Sequence, residues 1–197
     1  MGGSILPVTV HNNRIYILFG KERDIDENPG WSDFGGGTDK GETFIQTAIR
    51  EGSEELTGFL GDENDIKKLL TRFGTFNVDY PSNGHTTYRC HIFPMACPNG
   101  IDALPLYYNN NQRFLQKRLD PQIIKDSKIF EKSQIRWFTF DDMRKQRKQF
   151  RSFYQNIVDL ILAQQSDIEA FVRKALVTRV PKRASAIRTR KMRKSKH

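Results

Sequence analysis

The sequence predicts an α/β or α+β sandwich, and three observations predict it. Short apolar, β-branched segments bounded by turn residues alternate with two segments whose apolar residues recur at helical spacing. The 197 residues, 37% hydrophobic and 11% aromatic, suffice for one core with an appendage. The charge of +9 belongs to one end: eleven of the 32 Lys and Arg lie in residues 173–197, which hold no Asp or Glu, so residues 1–172 carry a formal charge of −2. A folded body over 1–165 is therefore expected, followed by a helical extension and basic, disordered tail over 166–197.

The elements follow in order. Residues 4–10 and 14–19 are strands flanking a hairpin turn at His11-Asn12-Asn13. Residues 21–30 are charged, end in Pro29-Gly30 and read as a loop. Residues 31–34 form a short strand running into Gly35-Gly36-Gly37, where backbone turns tightly or lets something approach. The clearest helix follows: Thr43 and Gln46 make a capping box, and Ile45, Ala48, Ile49, Gly52 and Leu56 share one face. Gly58 is its expected terminator. Residues 62–70 read as a second, short helix, and 73–80 with 86–95 as a hairpin around Pro81-Ser82-Asn83-Gly84. Residues 107–119 leave loop and helix open, because three consecutive asparagines weaken a helix. Residues 135–140 are a strand, after which Asp141 caps a short turn. Residues 150–163 form the late helix, expected to pack on the sheet opposite the first one. Residues 167–177 extend it or form another, and beyond Pro181 apolar periodicity ends.

No segment approaches the ~18 apolar residues of a membrane helix. The first residues show neither a secretory pattern nor, with Leu6 at the decisive position, a myristoylation pattern. Two cysteines, Cys90 and Cys97, build no disulfide framework. A reducing, intracellular and cytoplasmic setting is expected, with nuclear import through the basic tail left open. Cys90-His91 and Cys97 are too few for a zinc site and read as core. Trp31, Phe34, Tyr80 and Tyr88 are candidates for stacking a base, with core packing as the default.

Between Lys40 and Lys67 the only basic residue is Arg50, and Glu51, Glu54 and Glu55 stand at i, i+3 and i+4. That spacing sets three carboxylates on one helical face, opposite the apolar residues. Each like-charge pair costs roughly 0.2–0.5 kcal/mol. Arg50 relieves one through Glu54, and the remainder calls for a counter-charge. Mg²⁺, which takes oxygen ligands shared between carboxylates and substrate phosphates, supplies one. Three glutamates alone would read as a solvated helix face; the spacing around them says more.

Gly36, then Glu42 after five residues, then Arg50-Glu51 after seven, then Glu54-Glu55 in register, resemble the Nudix signature G-x5-E-x7-R-E-U-x-E-E-x-G-U, with U a bulky aliphatic. The resemblance covers residues 36–58 and includes the usual G-E-T at Gly41-Glu42-Thr43. It departs twice. Gly52 stands where an aliphatic is usual, which leaves a hole in the core. Leu56-Thr57-Gly58 delays the terminal glycine by one, so the helix is expected to run one residue longer. The resemblance implies a Nudix-like α/β/α sandwich with a mixed sheet and a pyrophosphohydrolase that uses Mg²⁺ or Mn²⁺. It implies that Glu51, Glu54 and Glu55 hold the ion, with Glu42 assisting, and that Arg50 orients the carboxylates. Gly36 and Gly37 would face the phosphates. Members of the family differ in their general base; Glu131, on the loop before the late strand, is the candidate beside Glu54. Arg14, Lys21 and Arg23 lie where the family often holds substrate phosphates.

The signature fixes the reaction and leaves the substrate open. The resemblance implies cleavage of a phosphoanhydride bond in a nucleoside diphosphate linked to another moiety. The basic tail favours a long polyanion, hence the 5′ cap of mRNA with an RNA contact by the tail, as in Nudix decapping enzymes of viral or eukaryotic origin. The stretch Trp31–Gly37, W-S-D-F-G-G-G, also resembles diphosphoinositol polyphosphate hydrolases, though Phe34 replaces their proline. Dinucleoside polyphosphates, nucleoside triphosphates, ADP-ribose or NADH, a non-catalytic Nudix-fold RNA-binding protein, and an acidic-helix interaction domain of another fold complete the alternatives. No membrane partner is expected, and the oligomeric state is left open.

Overall fold

The computed structural model describes residues 1–23, 27–82, 84–127 and 131–179; the basic segment expected beyond Pro181 lies outside them. The strands are β1 (Gly2–His11), β2 (Arg14–Glu22), β3 (Trp31–Ser32), β4 (Phe34–Gly37), β5 (Phe76–Ser82), β6 (His85–Pro94) and β7 (Lys132–Phe138). The helices are α1 (Phe44–Glu55), α2 (Glu63–Phe73), α3 (Ala103–Gln116), α4 (Pro121–Asp126), α5 (Phe140–Lys145), α6 (Tyr154–Ala163) and α7 (Gln165–Arg179). The strands form one mixed sheet in the order β3-β2-β1-β6-β5, with β4 on β1 and β7 on β2. Among the described strands only β1 and β6 pair in parallel, beside two isolated parallel bridges, Trp31–Phe150 and Phe59–Gly61.

The β1–β2 hairpin turns where the sequence places it, through Asn12 and Asn13 at φ 46° and 61°, a left-handed pair that matches strand twist. β1 is buried over its first eight residues because helices cover both faces of the sheet. Successive residues serve opposite layers. Leu6, Ile17 and Phe19 meet α6 and α7 through Ile157, Ile161, Ile168 and Val172. Ile5 and Leu18 meet α1, α2 and α3 through Ala48, Leu56, Ile66 and Tyr108. The late helix thus lies opposite the first, as expected of an α/β/α sandwich.

The sheet forks near its centre. On one side β1 pairs with β4 over Gly2–Ile5 and with β2 over Val8–His11. Pro7 lies in the gap, so its missing N–H costs no bond to either strand. The β3–β4 segment makes the same crossing: Ser32 pairs with β2, Phe34 with β1, and Asp33 stands between. This fork brings the Gly35–Gly37 strand beside α1.

Two expectations are corrected, and two that were left open are decided. Of residues 107–119, left open between loop and helix, 107–116 belong to α3, which starts earlier at Ala103 and ends at Gln116. Its asparagines are accommodated because Asn109 acts as a strand partner: its amide donates to the Ile135 carbonyl (3.0 Å) and accepts from the Ile135 N–H (2.8 Å) on β7. The turn after β7 is capped by Thr139 with Asp142, not by Asp141. Phe150 precedes the late helix and instead bridges to Trp31, so α6 begins at Tyr154. Residues 165–179 form a helix of their own, α7.

Candidate active site

The signature helix starts as its sequence dictates. Thr43 and Gln46 close a reciprocal capping box at the N-terminus of α1. Gly52 leaves no hole: a Cβ there would stand 2.3 Å from Ile5 Cδ1, so a β1 side chain fills the space that the helix gives up. The helix also stops on schedule. α1 ends at Glu55 with Leu56 as its cap, and Thr57 takes the left-handed conformation, φ 49°. The expected extra residue of helix is therefore absent, and a β-branched residue carries a turn that favours glycine.

Arg50 organises the first half of the site. Its Nε and Nη2 donate to the two Glu42 oxygens (2.9 and 3.0 Å), its Nη1 donates to Glu51 Oε1 (2.7 Å), and Nη2 also reaches the Gly37 carbonyl (3.1 Å). The sequence pairs Arg50 with Glu54; the structure pairs it with Glu42 and Glu51. Arg50 holds the Glu42 carboxyl down at about 2, with the Asp39 N–H as second cause. Glu42 also accepts from Thr47 (3.0 Å), so it serves as a clamp on Arg50. The Glu51 carboxylate lies against Gly36, where a Cβ would stand 2.6 Å from it. Only glycine lets the strand come this close.

Glu55 faces inward. It is 5% exposed, accepts from the Gly35 N–H (2.9 Å) and lies 3.2 Å from Lys132 Nζ. Lys132, the first residue of β7, is itself 1% exposed and donates to Glu22 (2.5 Å) and Ser32 (2.9 Å). Arg151 donates to the same Glu22 oxygen (2.9 Å). Burial pushes the Glu55 carboxyl well up, against the pull of Lys132. Burial pulls the Lys132 ammonium down, yet Glu55 and Glu22 outweigh it and the net direction is up. The counter-charge that the acidic helix calls for is thus partly built in.

Beside the glycine strand opens a cleft of about 310 Å³ lined by Ser32, Asp33, Gly36, Tyr88, Arg151 and Phe153. Asp33, at the fork, accepts from the Ser4 and Tyr88 hydroxyls, and burial pushes its carboxyl up. A larger cleft of about 910 Å³ between α1 and α2 includes Glu42 and Arg50 but none of Glu51, Glu54 and Glu55.

A family model described as the NUDIX domain matches residues 4–161. The chain belongs to the Nudix family. It is a pyrophosphohydrolase of that family, with every signature carboxylate in place. No curated protein matches it. Among solved structures it is similar to an Ap4A hydrolase from C. elegans in a binary complex, at 16% identity and TM-score 0.48, covering 86% of this chain and 96% of that one. It is also similar to NrtR from Shewanella oneidensis (13%, TM-score 0.48, 84% and 63%). A third is a bifunctional NMN adenylyltransferase/ADP ribose pyrophosphatase from Francisella tularensis complexed with AMP and Mn ion (17%, TM-score 0.48, 81% and 40%). At these identities and scores the likeness is no guide to substrate.

The remaining sequence candidates of this Nudix protein divide by distance. Gly36, Gly37, Arg50 and Glu51 come together, Glu55 meets the same strand at Gly35, and Glu54 shares their helix. Glu131 directly precedes Lys132, and its charge acts on Glu55. Lys21 lies on β2 opposite Trp31, at the site's end of the sheet. Arg23 donates to the Ile124 carbonyl of α4 (3.2 Å). Arg14 pairs with His11 at the far end of β1, nine residues from Gly2 and so roughly 30 Å from the glycine strand. Trp31 and Phe34 are core, as is Cys90, while Tyr88 lines the small cleft. Lys132, Glu22, Asp33 and Arg151 were not legible as site residues, since nothing local to them marks partners so distant in the chain.

Members of the Nudix family generally use divalent metals. Among the described residues no three His, Cys, Asp or Glu side chains stand grouped so as to hold a metal ion. The donors nevertheless suit Mg²⁺ or Mn²⁺: they are all carboxylate oxygens, and such an ion takes one or two of them, keeps waters, and completes its shell with substrate phosphate. Glu51 and Glu54 are the partly exposed donors, and Glu55 the buried one, held by Lys132.

Proposed function

We propose that this protein uses Mg²⁺ or Mn²⁺ to hydrolyse a phosphoanhydride bond of a nucleoside diphosphate linked to another moiety, and that its substrate is the 5′ cap of RNA. The observation that carries the reaction is that Glu51 and Glu55 are held against the Gly35–Gly37 strand by Arg50 and Lys132, on the helix that also carries Glu54. The preference for RNA rests on the cationic C-terminal sequence, which suits a long polyanion.

Glu51 and Glu54 would hold the ion from the helix, with Glu55 behind them. When bound, the ion would neutralise phosphate charge and lower the pKa of a bound water. Arg50 keeps Glu51 in one orientation, so no rearrangement is needed during the reaction. The glycine strand carries no side chains, so phosphates can approach its backbone. Glu131, whose charge reaches Glu55, takes the proton of the attacking water on its carboxylate.

A panel of capped RNA, diadenosine polyphosphates, ADP-ribose, NADH, nucleoside triphosphates and a diphosphoinositol polyphosphate, each with Mg²⁺ or Mn²⁺, tests this. Capped RNA should have the highest kcat/KM, and Glu54→Gln should lower it by about 10²-fold or more. A Glu54→Gln protein as fast as its parent on the best substrate refutes the metal assignment. A better small-molecule substrate refutes the cap.

A further inference from the structure

Helix α3 shows large apolar groups on both of its sides. Its buried side sets Tyr108 and Leu104 in the core and adds specific hydrogen bonds. The Tyr108 hydroxyl donates to the Glu55 carbonyl (2.9 Å), with the Lys132 carbonyl at 3.1 Å, and Asn109 pairs with the backbone of β7. Its outer side shows large apolar groups: Leu106, Tyr107 and Phe114 are 55%, 62% and 57% exposed. Between and beyond the rings stand Arg113, Lys117 and Arg118, and the helix contains no carboxylate. This is local, because residues 1–172 as a whole are slightly acidic. Arg118 lies over one face of the Phe114 ring, 5.1 Å from its centroid. Arg113 is held by Asn109 and Asn110 on its own helix.

Exposed aromatic rings interleaved with cations are what a single-stranded nucleic acid requires: rings to stack bases, cations to meet phosphates. Tyr107 and Phe114 are seven residues apart, two helical turns, so they stand about 10 Å apart on one stripe, the reach of roughly three stacked nucleotides. The anchor of the helix, Tyr108, touches the backbone of Glu55. The outer face lies across the width of the helix, roughly 10 Å, from that contact.

We propose that the outer face of α3 binds single-stranded RNA, through stacking on Tyr107 and Phe114 and phosphate contacts to Arg113, Lys117 and Arg118. As a binding site for the body of a capped transcript it rests on the cap reading above. The tests of the two are separate.

The probe is a fluorescent, uncapped, single-stranded 20-nucleotide RNA, titrated by anisotropy with the full chain at about 0.3 M salt. At that ionic strength phosphate attraction by the tail is weakened while stacking persists. Tyr107→Ser with Phe114→Ser should weaken binding about tenfold or more, and Phe114→Trp should retain it. Arg113→Glu with Lys117→Glu should weaken binding and flatten its salt dependence. Hydrolysis of a cap dinucleotide, too short to reach α3, should be unchanged in all of them. Equal affinity of parent and double-serine protein, no binding by the parent, or loss of a dimer in the double-serine protein would overturn the assignment. Failure to cleave capped RNA, with ring-dependent oligonucleotide binding intact, would overturn the cap and leave α3 as an RNA surface.

Discussion

Lys132 is where the structure makes its most exacting demand. Its ammonium stands 2.5 Å from Glu22, 2.9 Å from Ser32 and 3.2 Å from Glu55, on a side chain 1% exposed. Lys132→Met keeps the volume and removes the charge. Glu22 then still has Arg151, but among the described residues Glu55 retains only the Gly35 N–H. Breaking a buried pair on one side costs about 3–5 kcal/mol. In a domain of this size each kcal/mol lowers Tm by about 2–4 °C, so the variant should melt roughly 6–20 °C below its parent at pH 7.5. The loss should depend on pH in one direction. Burial pushes the Glu55 carboxyl up; Lys132 opposes this, while Glu22 and Glu131 add to it. Without Lys132 the carboxyl rises further. A folded-state pKa above the unfolded value means that the folded protein binds that proton more tightly. Stability therefore falls as pH rises from the unfolded value, about 4.3, through the folded one. The deficit is largest at neutral pH and should shrink as pH falls towards 5. Adding Glu55→Gln, which removes the orphaned charge, should recover much of it. Circular dichroism melts from pH 5 to 8 measure this. A Tm within 2 °C of the parent throughout, or a deficit that widens on acidification, would refute the reasoning.

Two other changes probe the departures from the signature. Gly52→Ala drives a Cβ to 2.3 Å from Ile5 Cδ1 and should cost about 1–3 kcal/mol. Combined with Ile5→Ala, itself destabilising, it should fall short of additivity by more than about 1 kcal/mol in urea titrations, and strict additivity would deny the contact. Thr57→Gly relieves a β-branched residue at φ 49° and should gain about 1 kcal/mol, read as a Tm some 2–4 °C higher; a lower Tm would show the conformation to be unstrained.

The parts of this protein that the sequence discloses are those whose causes lie within a few residues of each other. The capping box of Thr43 and Gln46 and the Asn12-Asn13 turn are local, and both are found where their residues imply, whereas of the three glutamates expected on one face opposite the apolar residues Glu55 turns inward. What stays hidden depends on partners far along the chain. Three asparagines argue against a helix until β7 is seen to need the amide of Asn109 at its edge. Gly52 reads as a defect until Ile5, on another strand, is seen to occupy the space.

The carboxylates themselves divide along the same line. Glu51 is oriented by Arg50, its neighbour in the chain, so a sequence motif can encode that contact. Glu55 is oriented by Lys132, 77 positions away, and a motif that ends at Gly58 cannot. The two are placed by different parts of the fold: the first by the helix and its preceding loop, the second by the fork that lets β7 and the β3–β4 segment meet behind α1. A change to the sheet can therefore move Glu55 while leaving the signature untouched. An intact motif fixes which carboxylates the helix carries, and the long-range lysine decides how one of them is held.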